Sequence, residues 1–209
     1  FGKAKIAGEY LLRRSGPMSM APSQLGAFAK SRPDVATADL EYHVQPLSLD
    51  AFGEPLHDFP AITASVCHLR PESRGEVRLA SSNPLDAPLI SPNFLSSKGD
   101  RLVAKDAIKL TRKIMAQFAL QQYQPKEYKP GPQAQTDRDL IQAAGDIGTT
   151  IFHPTSSVRM GKDATAPLTE KLQLRGIEGL RVVDASAMPC ITSGNTNAPT
   201  MMIAKKQQI

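Results

Sequence analysis

Residues 70–75 (RPESRG) constrain the fold more than any other stretch of this 209-residue chain. This short segment holds Pro71 and Gly75, and it separates two stretches, 61–69 and 76–80, whose residues are typical of β-strands. A tight turn rich in proline and glycine favours antiparallel pairing of the strands on either side of it. We therefore predict a β-hairpin at this point, and an antiparallel sheet as the framework of the fold.

Alternation of apolar and polar side chains over residues 40–46 indicates a further strand with one buried face. Residues 18–25 are rich in proline and serine and are predicted to form a loop. Residues 83–92 contain three prolines and are predicted to form an extended connection. Helices are predicted over residues 9–14, which Ser15 and Gly16 end, and over residues 136–144, with Thr136 as the N-cap and Asp139 three positions later.

The clearest helical period runs from residue 100 to residue 118, with Asp100 as the expected N-cap. One stripe of this helix is apolar and the opposite side is basic; the members are Val103, Ala107, Leu110 and Ile114 on the first, and Lys105, Lys109, Arg112 and Lys113 on the second. Short strands at 171–174 and 180–183 and a last helix over 198–207 complete the pattern. We predict an α+β fold: an antiparallel sheet with flanking helices, then a C-terminal strand and helix.

Composition argues against nucleic acid as a partner and against a membrane-spanning segment. The formal charge is +5, but the basic residues are spread along the chain, only 5% of residues are aromatic and there is no tryptophan. We therefore predict no nucleic-acid binding. No apolar run approaches the roughly 20 residues of a membrane span. His43, His57 and His68 show no metal-ligand spacing with acidic or cysteine residues, so no metal site is predicted.

Cysteine usage suggests a compartment. Cys67 and Cys190 are far apart and match no redox spacing, which favours reduced thiols in a reducing environment. Residues 1–10 contain no apolar core of a secretory signal. We predict a cytoplasmic protein, and peripheral association with a membrane stays open.

Three motifs in the last third carry the functional signal: HPTSSVRMG at 153–161, GLRVVDAS at 179–186 and SGNTNAPTMMI at 193–203. In this order and spacing they resemble the C-terminal region of the glucose–methanol–choline (GMC) flavoprotein oxidoreductases, nearest to the choline and alcohol dehydrogenase branch. Residues 8–17, 70–79 and 92–95 are similar to stretches of the substrate-binding domain in the same family. The resemblance therefore covers nearly the whole chain.

The resemblance implies a role for each matching residue. His153 matches the catalytic histidine, which removes the hydroxyl proton of an alcohol while hydride goes to flavin N5. Asn195 stands where many members have a second histidine; an amide can donate a hydrogen bond to the alcohol oxygen but cannot act as a base. Asp184 and Ala185, at a strand end, match positions that contact the ribityl and phosphate part of FAD. Thr196 and Asn197 match the helix terminus near the flavin ring.

The implied enzyme is an FAD-dependent, choline dehydrogenase-like enzyme that oxidises a primary alcohol to an aldehyde. Residues 1–147 would form the substrate-binding domain, and residues 148–209 the catalytic loop, strand and helix that pack on the FAD-binding domain. No Gly-x-Gly-x-x-Gly turn occurs in the sequence, and the chain does not begin with Met. We therefore expect the N-terminal FAD-binding half to lie outside this chain, and self-association through the exposed interdomain face is open.

Other hypotheses remain at this point. The chain could be a non-catalytic fragment or an interaction domain that does not hold FAD by itself. A hydrolase using His153 with Ser156, Ser157 or Asp184 is a second enzyme class, although the sequence has no Gly-x-Ser-x-Gly motif. The identity of the alcohol, the electron acceptor (oxygen or a quinone-type carrier) and the oligomeric state are left open. Phe152 stands where the choline branch often has tyrosine.

Overall fold

The computed structural model describes residues 2–51 and 53–206. The fold is α+β, as predicted, with small antiparallel sheets and five α-helices in the described residues. The strands are β1 (Leu25–Ala29), β2 (Leu40–Gln45), β3 (Thr63–His68), β4 (Glu76–Arg78) and β5 (Leu89–Ser91). The helices are α1 (Gly2–Arg13), α2 (Lys98–Met115), α3 (Phe118–Gln121), α4 (Asp137–Ile147) and α5 (Asn197–Lys206); Gln207, the predicted end of the last helix, lies outside the described residues.

The chain divides into two compact units. The first comprises Phe1–Lys30 and Ala36–Cys67, and the second comprises Ser31–Val35 and His68–Ile209. The first unit carries a three-stranded sheet in the order β1-β2-β3, in which β1 and β2 are antiparallel with Leu25 opposite Val44 and Ala29 opposite Leu40. The sequence predicted β2 and β3 but not β1, because Leu25 and Phe28 are exposed and the strand shows no alternation of buried and exposed residues.

The predicted hairpin around residues 70–75 was wrong. β3 belongs to the sheet of β1 and β2, whereas β4 pairs with β5 in a separate two-stranded antiparallel sheet. The turn is held elsewhere, because the backbone N–H groups of Glu72 and Ser73 donate to the two carboxylate oxygens of Asp100 at 2.8 and 2.9 Å. Residues 83–92, predicted to be an extended connection, supply β5.

Helix α2 begins two residues earlier than predicted. Its N-cap is Ser97, whose hydroxyl accepts a hydrogen bond from the Asp100 N–H at 2.9 Å, and Asp100 is therefore free to hold the preceding turn. Val103 and Ala107 are buried as the helical period predicted, but Ile114 at the end of the same stripe is exposed. The apolar face thus covers the core with the first half of the helix.

Asp100 is 4% exposed, and its carboxylate lies 3.4 Å from Nδ1 of His68. Burial acts to raise the pKa of Asp100, but the hydrogen bonds from Ser73 and Glu72 and the nearby His68 outweigh it, so the pKa lies below the ordinary carboxyl value. This buried carboxylate joins the turn at 70–75 to the first turn of α2.

Arg112, on the basic side of α2, binds the loop that follows. Its guanidinium donates two hydrogen bonds to the carboxylate of Glu127, at 2.9 and 2.8 Å, and one each to the carbonyls of Ala134 and Gly131. These bonds fix the loop that leads into α4. Helix α4 then begins with the predicted capping box between Thr136 and Asp139, and its Leu140 is fully buried.

The segment from residue 158 to residue 187 has little regular secondary structure. The predicted strands at 171–174 and 180–183 are present only as isolated bridges, such as Gln173 opposite Arg181. Leu172 has a left-handed φ of 59°, which interrupts a regular strand at this position. Order comes from a hydrophobic cluster of Leu168, Leu172 and Ala187, against which five residues pack: Val158, Met160, Leu174, Val182 and Ile203.

Cys67 and Cys190 are free, as the sequence predicted. Within residues 2–51 and 53–206, no helix combines the length and the apolar character needed to cross a membrane.

Candidate active site

The loop that carries His153 follows α4 and has an unusual backbone. Phe152 and Ser156, on either side of His153, have φ values of 63° and 70°, in the left-handed region that most residues with side chains avoid. The Phe152 N–H donates to the Thr150 hydroxyl at 3.0 Å, and further on the N–H of Val158 donates to the Ser186 carbonyl at 3.1 Å. The loop is therefore held at both ends, which favours a defined orientation of the imidazole.

Three of the predicted site residues meet at this imidazole. The Asn195 amide nitrogen lies 3.3 Å from Nε2 of His153, and the Thr196 hydroxyl lies 3.0 Å from Nδ1. The Phe152 carbonyl is also 3.2 Å from Nδ1. A carbonyl can only accept and an amide NH₂ can only donate, so one arrangement satisfies all three contacts. In it Nδ1 carries the proton, and Nε2 keeps its lone pair towards Asn195.

Helix α5 fixes the positions of Asn195 and Thr196. Thr196 is buried, and its carbonyl accepts hydrogen bonds from the Thr200 N–H at 3.0 Å and the Thr200 hydroxyl at 2.7 Å. The first turn of α5 contains no acidic residue, so the partial positive charge of the helix N-terminus is not offset from within the helix. Asn197 is exposed at the first helical position, and Pro199 lies in the first turn, as predicted.

Asp184 and Ala185 belong to a different local structure. Asp184 caps a single 3₁₀ turn, Ala185–Ala187, and its carboxylate accepts hydrogen bonds from the N–H and the hydroxyl of Ser186. This turn supports the loop that carries His153, because the Ser186 and Ala187 carbonyls accept hydrogen bonds from the N–H groups of Val158 and Met160. The geometry thus gives Asp184 a local structural task, and the predicted contact with FAD stays a prediction.

Arg159 ends the loop with an ion pair. Its guanidinium donates two hydrogen bonds of 2.8 Å to the Asp163 carboxylate and a third to the Thr165 hydroxyl. The hydrogen bonds from Arg159, followed by that from Thr165, hold the pKa of Asp163 well below its usual range. This pair lies after the loop and gives residues 159–165 a fixed course.

Sequence reasoning missed the contact between Thr196 and His153. The resemblance placed Thr196 near the cofactor, whereas the structure directs its hydroxyl to the imidazole. Its position directly after Asn195 was the available signal, since two consecutive residues at a helix start can flank the same group. A second grouping, formed by Glu41, His43 and Cys67, was also missed and is described below.

The arrangement can remove a proton and bind an oxygen atom. An alcohol oxygen placed within hydrogen-bonding distance of Nε2 of His153 and of the Asn195 amide would lose its proton to the first and accept a hydrogen bond from the second. No acidic side chain in the first turn of α5 offsets the partial positive charge of its N-terminus. This charge would stabilise a group that gains negative charge, such as the ring of a reduced flavin. The sequence contains no Gly-x-Gly-x-x-Gly cradle for a dinucleotide pyrophosphate.

Comparisons with known proteins bear on the family of the chain. Residues 71–204 match the family model described as GMC oxidoreductase. The chain is 39% identical over 206 residues to an oxygen-dependent choline dehydrogenase from Serratia proteamaculans, covering 99% of this chain and 37% of that protein. It is 37% identical over 196 residues to an alcohol dehydrogenase (acceptor) from Pseudomonas putida, covering 94% of this chain and 36% of that protein.

Comparison with solved structures supports the fold. The chain superposes with a TM-score of 0.84 on a formate oxidase from Aspergillus oryzae, solved to follow the effect of a mutation on FAD modification. The identity is 21%, and the match covers 98% of this chain and 40% of that one. The chain spans little more than a third of the length of the curated relatives it matches.

Proposed function

The chain belongs to the GMC oxidoreductase family, and we propose on that basis that it is the C-terminal part of an FAD-dependent, choline dehydrogenase-like alcohol dehydrogenase. The proposed reaction converts a primary alcohol to an aldehyde. Residues 1–147 are assigned to the substrate-binding domain, and residues 148–209 to the part that packs on an FAD-binding domain. The observation that carries the proposal is the meeting of His153 and Asn195 across 3.3 Å, with the Nε2 lone pair between them.

His153 is the proposed base. Its Nε2 accepts the hydroxyl proton of the alcohol, while the Asn195 amide donates a hydrogen bond to the oxygen that is losing the proton. Asn195 has no proton to lose at working pH, so the two side chains have separate tasks and do not compete for the proton. A base correctly placed in this way contributes on the order of 10²–10⁴ in rate.

Thr196 is the proposed positioning residue. Its hydroxyl oxygen accepts a hydrogen bond from the Nδ1–H of His153, beside the Phe152 carbonyl, and it stabilises the imidazolium that forms when Nε2 takes the substrate proton. The flavin contact that the resemblance implies for Thr196 stays a prediction.

FAD, when bound, supplies the hydride acceptor. The residues proposed to lie against it are Asn197 at the start of α5, and Asp184 and Ala185 at the 3₁₀ turn. Because the pyrophosphate cradle must come from another segment, we expect this chain by itself to bind FAD weakly or not at all. That expectation corresponds to the alternative function, a fragment that is not catalytic in isolation.

The test uses the complete enzyme, with the N-terminal FAD-binding half present. Anaerobic addition of choline, or of a simple primary alcohol, should bleach the visible flavin band, and His153→Gln should slow the bleaching by about 10²–10⁴-fold while the band of the oxidised enzyme is kept. Bleaching at the wild-type rate in His153→Gln would remove the proposed base. The isolated chain, mixed with FAD under the same conditions and then separated from unbound FAD, should not carry the flavin band.

A further inference from the structure

Strands β2 and β3 of the first unit bring three different metal-ligand side chains together. Glu41 and His43 are two residues apart on β2, so they point to the same face of the sheet. Cys67 lies on β3, the neighbouring strand. A carboxylate oxygen, an imidazole nitrogen and the thiol sulfur of these residues all lie within 4.8 Å of one another.

Two of these polar side chains, Glu41 and His43, are withdrawn from solvent and poorly paired. The Glu41 side chain is 9% exposed, and Nε2 of His43 is buried without a hydrogen-bond partner in the part of the chain that the structure describes. Nε2 lies 3.6 Å from Oε1 of Glu41, which is too long for a hydrogen bond. Two ligand atoms bound to one tetrahedral zinc ion lie a similar distance apart. The usual zinc–ligand bond lengths place them about 3.4 Å from each other.

We propose that Glu41, His43 and Cys67 bind one divalent ion of zinc-like chemistry, through one oxygen, one nitrogen and one sulfur ligand. Thiolate and imidazole together select zinc or its neighbours over magnesium and calcium, which take oxygen ligands. Three protein ligands leave a fourth position for water or another group. The proposal does not rest on the proposed oxidation of alcohols, because none of these three residues has a role in it.

Binding would release one proton to solvent. The Cys67 thiol donates a hydrogen bond to the Glu41 carbonyl at 3.5 Å, so it carries its proton before the ion arrives. The S–H bond breaks and a sulfur–metal bond forms, without any change in oxidation state. The affinity for the ion should therefore increase with pH.

The experiment uses the purified chain, freed of metal with EDTA and kept reduced, without FAD or alcohol. Titration with CoCl₂ should produce a thiolate-to-cobalt charge-transfer band that saturates at one equivalent, and added ZnCl₂ should remove it. Cys67→Ser should abolish the band, and His43→Gln should weaken binding at least about tenfold. Zinc should also raise the melting temperature of the wild-type chain, because it binds the folded state.

The chain offers two matched controls. Cys190→Ser removes the other, exposed cysteine, and His57→Gln removes a histidine of the same unit that also neighbours a carboxylate, Asp50, at 3.2 Å. Both variants should keep the band and its affinity. A band that follows Cys190, a band that survives in Cys67→Ser, or no band at one equivalent would each overturn the proposal and leave Glu41 and His43 as an ion pair. If Cys67→Ser does not fold, the His43→Gln affinity and the zinc-dependent melting shift decide.

Discussion

Two histidines of the second unit have opposite surroundings. His68 lies 3.4 Å from a buried carboxylate, Asp100, which also holds two backbone N–H groups. His153 is held by the amide of Asn195 and the hydroxyl of Thr196, and neither of these carries a charge. A carboxylate gives His68 a partner of opposite charge, whereas the neutral partners of His153 leave its Nε2 lone pair towards an amide that a substrate oxygen can share. Partner chemistry thus suits one histidine to structure and the other to proton transfer.

The strongest way to break this comparison is to give His153 a charged partner. Asn195→Asp places a carboxylate beside Nε2, which favours the protonated imidazole and removes the donor for the alcohol oxygen. The pH profile of kcat/KM in the complete enzyme should move upward by about 1–3 units, with a loss of roughly 10–10³-fold at neutral pH. A profile that keeps its wild-type position would show that His153 is not the group that titrates.

Removing the charge of Asp100 beside His68 tests the structural role given to that histidine's surroundings. Asp100→Asn replaces an acceptor of two backbone hydrogen bonds with a side chain that has one acceptor oxygen, and should lower the free energy of unfolding by about 1–3 kcal/mol. Because the pKa of Asp100 is below its ordinary value, its contribution is present above about pH 4 and is lost as the pH falls through the lower folded-state pKa. Urea denaturation at pH 7 and pH 3 measures both effects, and equal differences between variant and wild type at the two pH values would contradict them.

The Thr196 hydroxyl makes a smaller contribution, which sharpens the comparison. Thr196→Val keeps the shape but removes one of the two acceptors at Nδ1, and should lower kcat about tenfold with little change in KM, since a hydrogen bond to a charged group contributes about 1.5 kcal/mol. Long-range ¹H–¹⁵N spectra of the chain should show the Nδ1–H tautomer of His153 in both Thr196→Val and Thr196→Ser, because the Phe152 carbonyl still accepts from Nδ1, and a shifted Nδ1 resonance in Thr196→Val alone. If Val and Ser variants behave alike, Thr196 does not act through the imidazole.

A cap whose hydrogen bonds stay within its own helix should have the smallest effect on the two histidines. Thr136→Ala removes the N-cap of α4 and should cost about 1 kcal/mol of stability. The histidine resonances of the folded chain and the pH profile of the complete enzyme should not change. A shift in either would mean that the cap of α4 is coupled to the two histidines. The difference between the histidines would then not be explained by their direct partners alone.

Local patterns predicted local structure well in this chain. Strand β2, the body of α2 and the capping box of α4 depend on residues within a few positions of one another, and the sequence located all three. The turn at 70–75 could not be predicted in the same way. Its N–H groups are taken by Asp100, 28 residues further on from Glu72, and this long-range hydrogen bonding replaces the expected hairpin.

The contacts around His153 and those between Glu41, His43 and Cys67 show the same limit to prediction from the sequence. The resemblance named His153 and Asn195, but no periodicity indicates that residues 42 apart meet, or that Thr196 also reaches the imidazole. Glu41 and His43 could have been paired from strand alternation alone. Cys67 could not be added to them, because the pairing of β2 with β3 is set by packing and not by a turn between the two strands.

The separation between His153 and Asn195 has a consequence for how relatives diverge. The chain between them returns to its starting point around the cluster of Leu168, Leu172 and Ala187. Closing a loop costs entropy that grows only with the logarithm of its length. Insertions at the exposed turn of residues 176–179 should therefore be tolerated easily, whereas a single-residue deletion beside His153 or Asn195 would displace one end of the pair. Among such proteins, insertions and deletions should be concentrated in the middle of the segment between His153 and Asn195, and should be rare next to either residue.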